Sequence, residues 1–226
     1  MTLDAPSQIQ KQWYRIGGVA ALVIGIGYII IIPLYAHVGA PPNTGEAWFK
    51  YLPGKTTAWW AILGLSVFTD FLYVPVAFAL YLALKELNRS VMLLATAFMG
   101  LFVVLDLAVT WSHYASVLTL YRNYATATDA AHRTSYIAAA NYAAAMLNSR
   151  LEIVYAIVTL SFGILLIGFV MLRGAFNKIT AYLALGTGVL GVLSLTGFSV
   201  VIIGNALFAT AWLFFVGNRL CRLAQE

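Results

Sequence analysis

The chain has 226 residues, of which 62% are hydrophobic and only 9% are charged, and its formal net charge is +5. Soluble domains usually carry about 25% charged residues, and a soluble fold of this size has too little interior for so much apolar surface. The composition therefore excludes a soluble domain and indicates an integral membrane protein. The basic residues lie at the ends of apolar segments rather than on one face, which excludes nucleic acid as a partner.

Six apolar segments are long enough to cross a bilayer as helices, which requires about 20 apolar residues each. The sequence predicts an all-α integral membrane protein, in which six transmembrane helices form one compact bundle and a single domain. The predicted spans cover residues 16–35, 57–84, 91–118, 151–172, 179–196 and 198–216. The residues expected to cap the N-termini of these helices are Thr56, Ser90, Ser149 and Asn177.

The basic residues also predict the orientation of the chain. Eight of the thirteen lysines and arginines fall on the side of the tight turns and both termini, and five fall on the other side. Because cytoplasmic segments carry the excess of these residues, we expect both termini in the cytoplasm. On the opposite side, an alanine-rich stretch over residues 129–147 predicts an outer surface helix, since alanine is the best helix former.

Two carboxyl groups lie inside the apolar segments. Asp70 is fifteen residues before Lys85 and Asp106 is seventeen residues after Arg89, which places both acids about 22–26 Å from the turn between the second and third spans. An ionisable residue inside a membrane is costly, and it usually faces the interior of a bundle or a wet cavity. The two acids at one depth therefore predict a polar site within the bundle.

Polar residues at helical spacing accompany the two acids on the second, third and fourth spans, and an asparagine on the sixth span lies at a similar depth. Two carboxyl groups close together in a low dielectric cannot both ionise easily, so such a pair can bind a cation, a protonated amine or a proton. We expect one outward-opening pocket whose ligand-binding residues are Asp70, Tyr73, Asp106, Thr110, His113, Glu152, Tyr155 and Asn205.

Several of these residues also have purely structural explanations. Each aspartate can bond a neighbouring hydroxyl or amide group and so fix helix packing. Ser149 and Glu152 have the spacing of a capping box, in which both residues serve the start of a helix. His113 falls on the same predicted side as His37 and His132, but their spacing matches no set of metal or haem ligands. We therefore expect no metal and no cofactor.

Short motifs along the chain are similar to those of one family of membrane proteins. They are Arg15-Ile16-Gly17-Gly18, Asp70 followed by Ala79-Leu80-Tyr81-Leu82-Ala83-Leu84-Lys85, Leu87-Asn88-Arg89, and Leu165-Leu166-Ile167-Gly168 leading to Arg173-Gly174-Ala175-Phe176. With these motifs the chain resembles a family of small bacterial six-span membrane proteins known only as a domain of unknown function. Lys178 stands where that family usually has proline. The resemblance implies six spans in a bacterial cytoplasmic membrane, and it implies no activity, cofactor or catalytic residue.

The sequence leaves three functions open. The first is a protein that binds or transports a small lipophilic or cationic ligand at Asp70 and Asp106, with proton coupling as one form of it. The second is a non-catalytic subunit or assembly factor of a larger membrane complex, which predicts a filled interior and docking to other subunits or to a second copy. The third is an intramembrane acid–base enzyme. An enzyme needs a nucleophile or metal beside the acids, which the sequence does not convincingly offer, so we favour the non-enzymatic functions.

Overall fold

The computed structural model of the protein describes residues 7–174 and 176–226. Ala175, which belongs to one of the motifs above, lies outside the described residues. Within the part of the chain that is described, every regular element is helical. The prediction of an all-α protein with six membrane-length helices is confirmed, because six helices are long and apolar enough to span a bilayer: Gln8–Val38, Thr56–Leu84, Arg89–Thr126, Arg150–Met171, Lys178–Thr196 and Ser199–Leu223.

Two of the long helices contain a π-helical segment, and two further helices lie outside the six. The elements in chain order are α1 (Gln8–Val38), α2 (Gly45–Tyr51), α3 (Thr56–Leu84), α4 (Arg89–Leu105), a first π segment (Asp106–Trp111), α5 (Ser112–Thr126), α6 (Ala130–Leu147), α7 (Arg150–Ile153), a second π segment (Val154–Val158), α8 (Thr159–Met171), α9 (Lys178–Leu193), a 3₁₀ turn (Ser194–Thr196) and α10 (Ser199–Leu223).

The helix starts agree with the predicted caps at two of four positions. The side chains of Ser149 and Asn177 accept hydrogen bonds from backbone amides three residues further on, so both caps are confirmed. The other two predictions are wrong. Asn88, rather than Ser90, caps α4, and α3 follows Lys55 without a side-chain cap. Asn88 takes this role because its carboxamide oxygen accepts from the Val91 amide at 3.1 Å.

The early start of α1 and the break between α9 and α10 both have local explanations. α1 begins eight residues earlier than expected because Ser7 and Gln10 form a capping box at its N-terminus. The break between α9 and α10 depends on Gly197, which has φ +76° and a left-handed conformation that favours glycine. The narrow boundary between the last two spans is thus a real turn.

The six long helices form a closed ring in chain order, because each packs on the helix before and after it and α10 packs back on α1. Glycines allow the closest approaches. A Cβ atom on Gly17 would lie 2.3 Å from the Cβ of Ala79, and one on Gly18 would lie 2.9 Å from the backbone nitrogen of Cys221. Bulkier residues at these positions would push α3 and α10 away from α1. The ring therefore encloses a central space, and its wall is tightly packed beside the first half of α1.

Two apolar clusters lie at the two ends of this space, and the outer one is mainly on the side of α2, α3, α5 and α6. The inner end is the end with the α3–α4 turn and the C-terminus of α10, and its cluster contains Leu84, Met92 and Leu220. The outer end is the end with α2 and α6, and its cluster is centred on Trp48 and Trp59, whose rings are 5.2 Å apart. The names inner end and outer end describe positions in the molecule only. That the outer end faces away from the cytoplasm stays a prediction.

Hydrogen bonds from α2 and its flanking residues fix that helix over the outer end of the ring. The Tyr51 hydroxyl and Lys55 Nζ both donate to the Val38 carbonyl, at 2.7 and 2.8 Å, and Lys55 Nζ lies 3.9 Å from the centre of the Tyr51 ring. The Gly45 amide donates to Asn141 Oδ1 of α6 at 2.7 Å. These contacts join the segment between α1 and α3, which contains α2, to the end of α1 and to α6.

A helix occupies Ala130–Leu147, where the alanine-rich stretch predicts one. Its N-terminus is capped by Asp129, which accepts from the His132 amide at 2.8 Å and also contacts the His132 ring. These hydrogen bonds hold the pKa of the Asp129 carboxyl below its usual range. Ala140 and Ala144 are buried against the outer cluster, so α6 is attached by its second half.

Candidate functional site

A cavity of about 740 Å³ lies inside the ring between the two apolar clusters. This volume is within the range of small-molecule sites, roughly 300–1,000 Å³. Most of the lining is aliphatic or aromatic, but three carboxyl groups belong to it: Asp70, Asp106 and Glu152. Among the described lining residues there is no lysine, arginine or histidine. The cavity therefore presents an excess of acidic groups in an apolar surrounding.

Asp70 and Asp106 come together at one tryptophan. Trp111 Nε1 lies 2.7 Å from Asp70 Oδ2 and 3.1 Å from Asp106 Oδ2, so one indole N–H donates to both carboxyl groups. The two oxygens can be no further apart than the sum of these distances, about 6 Å. Asp70 is only 3% exposed and Asp106 only 4%. Side chains from α3 and the first π segment thus form a buried acid pair with one shared donor.

Two buried polar atoms at or beside the acid pair have no hydrogen-bond partner among the described residues. These atoms are Asp106 Oδ1 and Thr110 Oγ1. The Thr110 hydroxyl lies near the carboxyl groups of both Asp106 and Glu152, but outside hydrogen-bonding geometry. A buried polar atom without a partner typically costs about 1–3 kcal/mol. Neither atom is exposed to the cavity, so a donor or cation in the cavity recovers that free energy only if these side chains turn towards it.

Aromatic side chains surround the acid pair. The Tyr28 and Tyr73 hydroxyls form a hydrogen bond of 2.9 Å one helical turn closer to the inner end. Towards the outer end, Tyr35 and Tyr114 line the cavity, and the Tyr114 ring lies 5.6 Å from the Trp111 ring. The faces of aromatic rings carry partial negative charge and attract cations. The aromatic groups and the carboxyl groups therefore favour the same class of ligand.

The two π segments lie in direct contact on neighbouring helices of the ring, and both contribute residues to the cavity wall. In a regular α-helix, residues five apart point about 140° away from one another. A π-helix closes its hydrogen bonds over five residues, which brings such residues onto one face. This is how Trp111 reaches the carboxyl group of Asp106, five residues earlier. In the second π segment, the Thr159 hydroxyl donates to the Val154 carbonyl at 2.6 Å, also across five residues.

The extra residue in each π segment shifts the cavity-lining face by one position. Tyr114 lines the cavity where α-helical spacing predicts His113, and Ala156 lines it where that spacing predicts Tyr155. His113 Nδ1 instead lies 2.5 Å from the Val109 carbonyl, and its ring lies 5.9 Å from that of Tyr142. Six of the residues expected at the site do line the cavity: Asp70, Tyr73, Asp106, Thr110, Glu152 and Asn205.

Glu152 and Asn205 also hold helices in place. The Glu152 amide donates to Ser149 Oγ at 3.2 Å, as in a helix cap, while the Glu152 side chain lines the cavity. Asn205 Nδ2 donates to the Thr187 carbonyl of α9 at 2.7 Å and to Ser161 Oγ of α8 at 3.4 Å. The capping and packing explanations for these residues are thus compatible with a place in the cavity wall.

Trp111 and Tyr28 belong to the site, but the sequence analysis did not include them. Trp111 was missed because α-helical geometry turns it away from Asp106. For Tyr28 a signal was present, since tyrosines in membrane helices usually lie at the interfaces and Tyr28 lies well inside the first apolar segment. Among residues 7–174 and 176–226, no group of three or more His, Cys, Asp or Glu side chains is arranged to hold a metal ion.

Replacement of Trp111 by phenylalanine is expected to lower the free energy of unfolding by about 2 kcal/mol, since hydrogen bonds to charged groups contribute roughly 1.5–3 kcal/mol. The variant keeps an aromatic ring but loses the donor that Asp70 and Asp106 share in the described part of the chain. Equilibrium denaturation in detergent micelles measures the change. Trp60→Phe, at an exposed tryptophan of the same chain, is the matched control and should stay within about 0.5 kcal/mol of the parent protein. Equal effects of the two substitutions would contradict the role of the shared N–H.

Comparison of the chain with protein-family models, with curated proteins and with solved structures gave no match. The function therefore has to be inferred from the geometry of the cavity.

Proposed function

We propose that the protein binds a small lipophilic cation, such as a quaternary or protonated amine, in its central cavity. The observation that carries this proposal is the buried acid pair, which has no basic partner among the described residues and lies in a cavity with aromatic walls. A cation at this position meets carboxyl oxygens and ring faces at the same time. An anion would meet three carboxyl groups and no positive charge.

The electrostatic gain is large enough for useful affinity. An ammonium ion about 4 Å from one carboxylate gains roughly 4 kcal/mol at an effective dielectric constant of 20. Ring faces add about 0.5–2 kcal/mol for each well-placed aromatic group. These terms offset the loss of hydration of the cation, which is smaller for an alkylated ammonium ion because its charge is shielded by methyl groups. Lipophilic cations are therefore favoured over small inorganic ions.

We place the protein in a bacterial cytoplasmic membrane, as the family resemblance implies, and the charge distribution supports a cavity that opens away from the cytoplasm. Lysine and arginine are more frequent at the inner end, as expected for the cytoplasmic side. The cavity lies towards the outer end and is separated from the inner end by the apolar cluster around Met92 and Leu84. In this arrangement the protein exchanges its ligand with the outer side, and a transport cycle requires the inner cluster to open.

A hollow interior favours ligand binding over the role of a non-catalytic subunit. A subunit that serves only assembly is expected to have a filled interior, and the acids would then each be satisfied by a local bond. Instead, Asp106 and Thr110 line the cavity, and their atoms Asp106 Oδ1 and Thr110 Oγ1 have no partner among the described residues. Partners in the membrane other than lipid are not needed to explain these features.

A matched pair of probes tests the proposal. Benzyltrimethylammonium and neopentylbenzene have nearly the same shape, but only the first carries a charge. With the protein in phosphatidylcholine nanodiscs, we expect saturable binding of the cation at least tenfold tighter than that of the neutral compound. Binding of the cation should weaken as the pH falls, because protonation of the carboxylates removes the negative charge. Equal affinities, or no saturable binding of the cation, would overturn the proposal.

A further inference from the structure

The cavity has a side opening between the first and last helices of the ring. Residues 32–36 of α1 and 199–206 of α10 form this opening, which we name the seam. Ala36 of α1 and Ile203 of α10 both line the cavity and are exposed on the surface, Ile203 by 55%. Ile32 and Ala206 also line the cavity and are partly exposed. The cavity therefore reaches the lateral surface of the bundle as well as its outer end.

The seam is open only in the outer half of the ring. Near the inner end, α1 and α10 are in close contact, since a Cβ on Gly18 would lie 3.0 Å from the Gly217 carbonyl and one on Gly25 would lie 3.1 Å from the Phe214 ring. Towards the outer end, residues of both helices line the cavity instead. Pro33 lies at this level of α1 and removes one backbone donor, which is the usual cause of a kink in a helix.

The surroundings of the seam are apolar. The exposed side chains beside it include Ile29, Val200 and Leu207, which have the character of a lipid-facing surface. In a bilayer this region meets acyl chains and the adjoining interface rather than bulk water. A ligand with an alkyl chain can therefore lie partly in the cavity and partly among the lipids, without burying any polar group in the hydrocarbon.

We infer that the ligand is a cationic amphiphile, whose ammonium head group lies at Asp70 and Asp106 and whose alkyl chain leaves the cavity through the seam. This inference rests on the proposed function and adds the substrate class and the route of entry. Charge complementarity selects this occupant, because lipids with a phosphate group would bring negative charge to a cavity with three carboxyl groups. The aromatic rings around the acid pair fit a methylated ammonium head.

A series of alkyltrimethylammonium ions tests the inference. Tetramethylammonium occupies only the head-group site, whereas the octyl and dodecyl compounds also need the seam. In nanodiscs of phosphatidylcholine, Ala206→Phe fills the seam and should weaken binding of the dodecyl compound at least tenfold, while binding of tetramethylammonium stays within twofold. Leu207→Phe, on the exposed face of the same helix, is the matched control and should change neither affinity. Ala36→Phe fills the seam from α1 and gives a second variant if Ala206→Phe does not fold.

The outcomes separate this inference from the proposed function. If no trimethylammonium compound binds the parent protein saturably, the proposed function fails, and the inference fails with it. The parent protein could bind both tetramethylammonium and dodecyltrimethylammonium, while filling the seam weakens neither or weakens both equally. The head-group site would then stand, but the seam would be excluded as the place of the alkyl chain. Selective loss of dodecyltrimethylammonium binding supports the inference. Partitioning of the ligand's dodecyl chain into the bilayer does not imitate this result, because it is the same for all variants of the protein.

Discussion

Replacement of both Asp70 and Asp106 by asparagine is expected to weaken benzyltrimethylammonium binding about 100-fold, which corresponds to about 2.8 kcal/mol. Asparagine has nearly the size of aspartate, and its side-chain oxygen can still accept the N–H of Trp111. The substitution therefore removes the negative charge while it preserves the hydrogen bond to the indole. Equilibrium dialysis of the cation and of neopentylbenzene, with protein in nanodiscs, gives the two dissociation constants.

The single variants and a surface control sharpen this test. Because either carboxylate alone can still attract a cation, we expect each single Asp→Asn variant to lose less affinity than the double variant. Asp129→Asn removes one negative charge at an exposed helix cap outside the cavity and should leave the dissociation constant unchanged. Neopentylbenzene should bind the double variant at least as well as the parent protein. An unchanged affinity for the cation in the double variant would exclude the acid pair as its site.

Gly191→Val is expected to lower the free energy of unfolding by about 3 kcal/mol, because it overpacks the contact between α8 and α9. A Cβ atom at this position would lie 1.8 Å from Ser161 Oγ and 2.1 Å from Ser161 Cβ. It would also lie 3.1 Å from Asn205 Nδ2, which joins α10 to α8 and α9. The substitution therefore forces α8 and α9 apart at the level of the cavity. Thermal unfolding in micelles measures the loss.

Two further variants identify the cause of this effect. Ser161→Gly removes the two nearest atoms that a Cβ at position 191 would meet, so the double variant with Gly191→Val should recover much of the lost stability. Gly100→Ala adds a methyl group where nothing lies within 4 Å, and it should be neutral or slightly stabilising because glycine is unfavourable in helices. Failure of Ser161→Gly to restore stability would show that the close approach of α8 and α9 is not the cause.

Hydropathy alone was sufficient to predict the six long helices, because each apolar segment is long and is bounded by polar residues. It was insufficient for the third helix, which was expected to end near residue 118 and continues to Thr126. Beyond Leu118 the sequence becomes polar, so the apolar signal ends there. The helix continues because Tyr121 and Tyr124 pack against Phe49 of α2, with ring centres 5.9 and 4.8 Å apart. Such a contact between distant residues leaves no local pattern.

The site was partly predictable for a similar reason. Counting residues from the inner turn gave a common depth for Asp70 and Asp106, because the rise per residue is nearly constant in helices. The prediction of which side chains share a helix face was less successful, since it assumes 3.6 residues per turn. The third and fourth long helices instead widen into a π segment at the cavity. Nothing in the composition of these segments marks the widening. The places of Trp111 and Tyr114 therefore became evident only from the packed structure.

The depth of the acid pair has a consequence for how the membrane potential acts on the ligand. At about 22–26 Å from the inner turn, a cation entering from the outer side crosses only roughly a fifth of a hydrocarbon core about 30 Å thick. A full crossing changes the energy of a unit charge by about 2.3 kcal/mol per 100 mV, so binding here changes by only about 0.5 kcal/mol. Occupancy of the cavity by the proposed ligand would then follow its amount in the outer leaflet and change only about twofold per 100 mV of membrane potential.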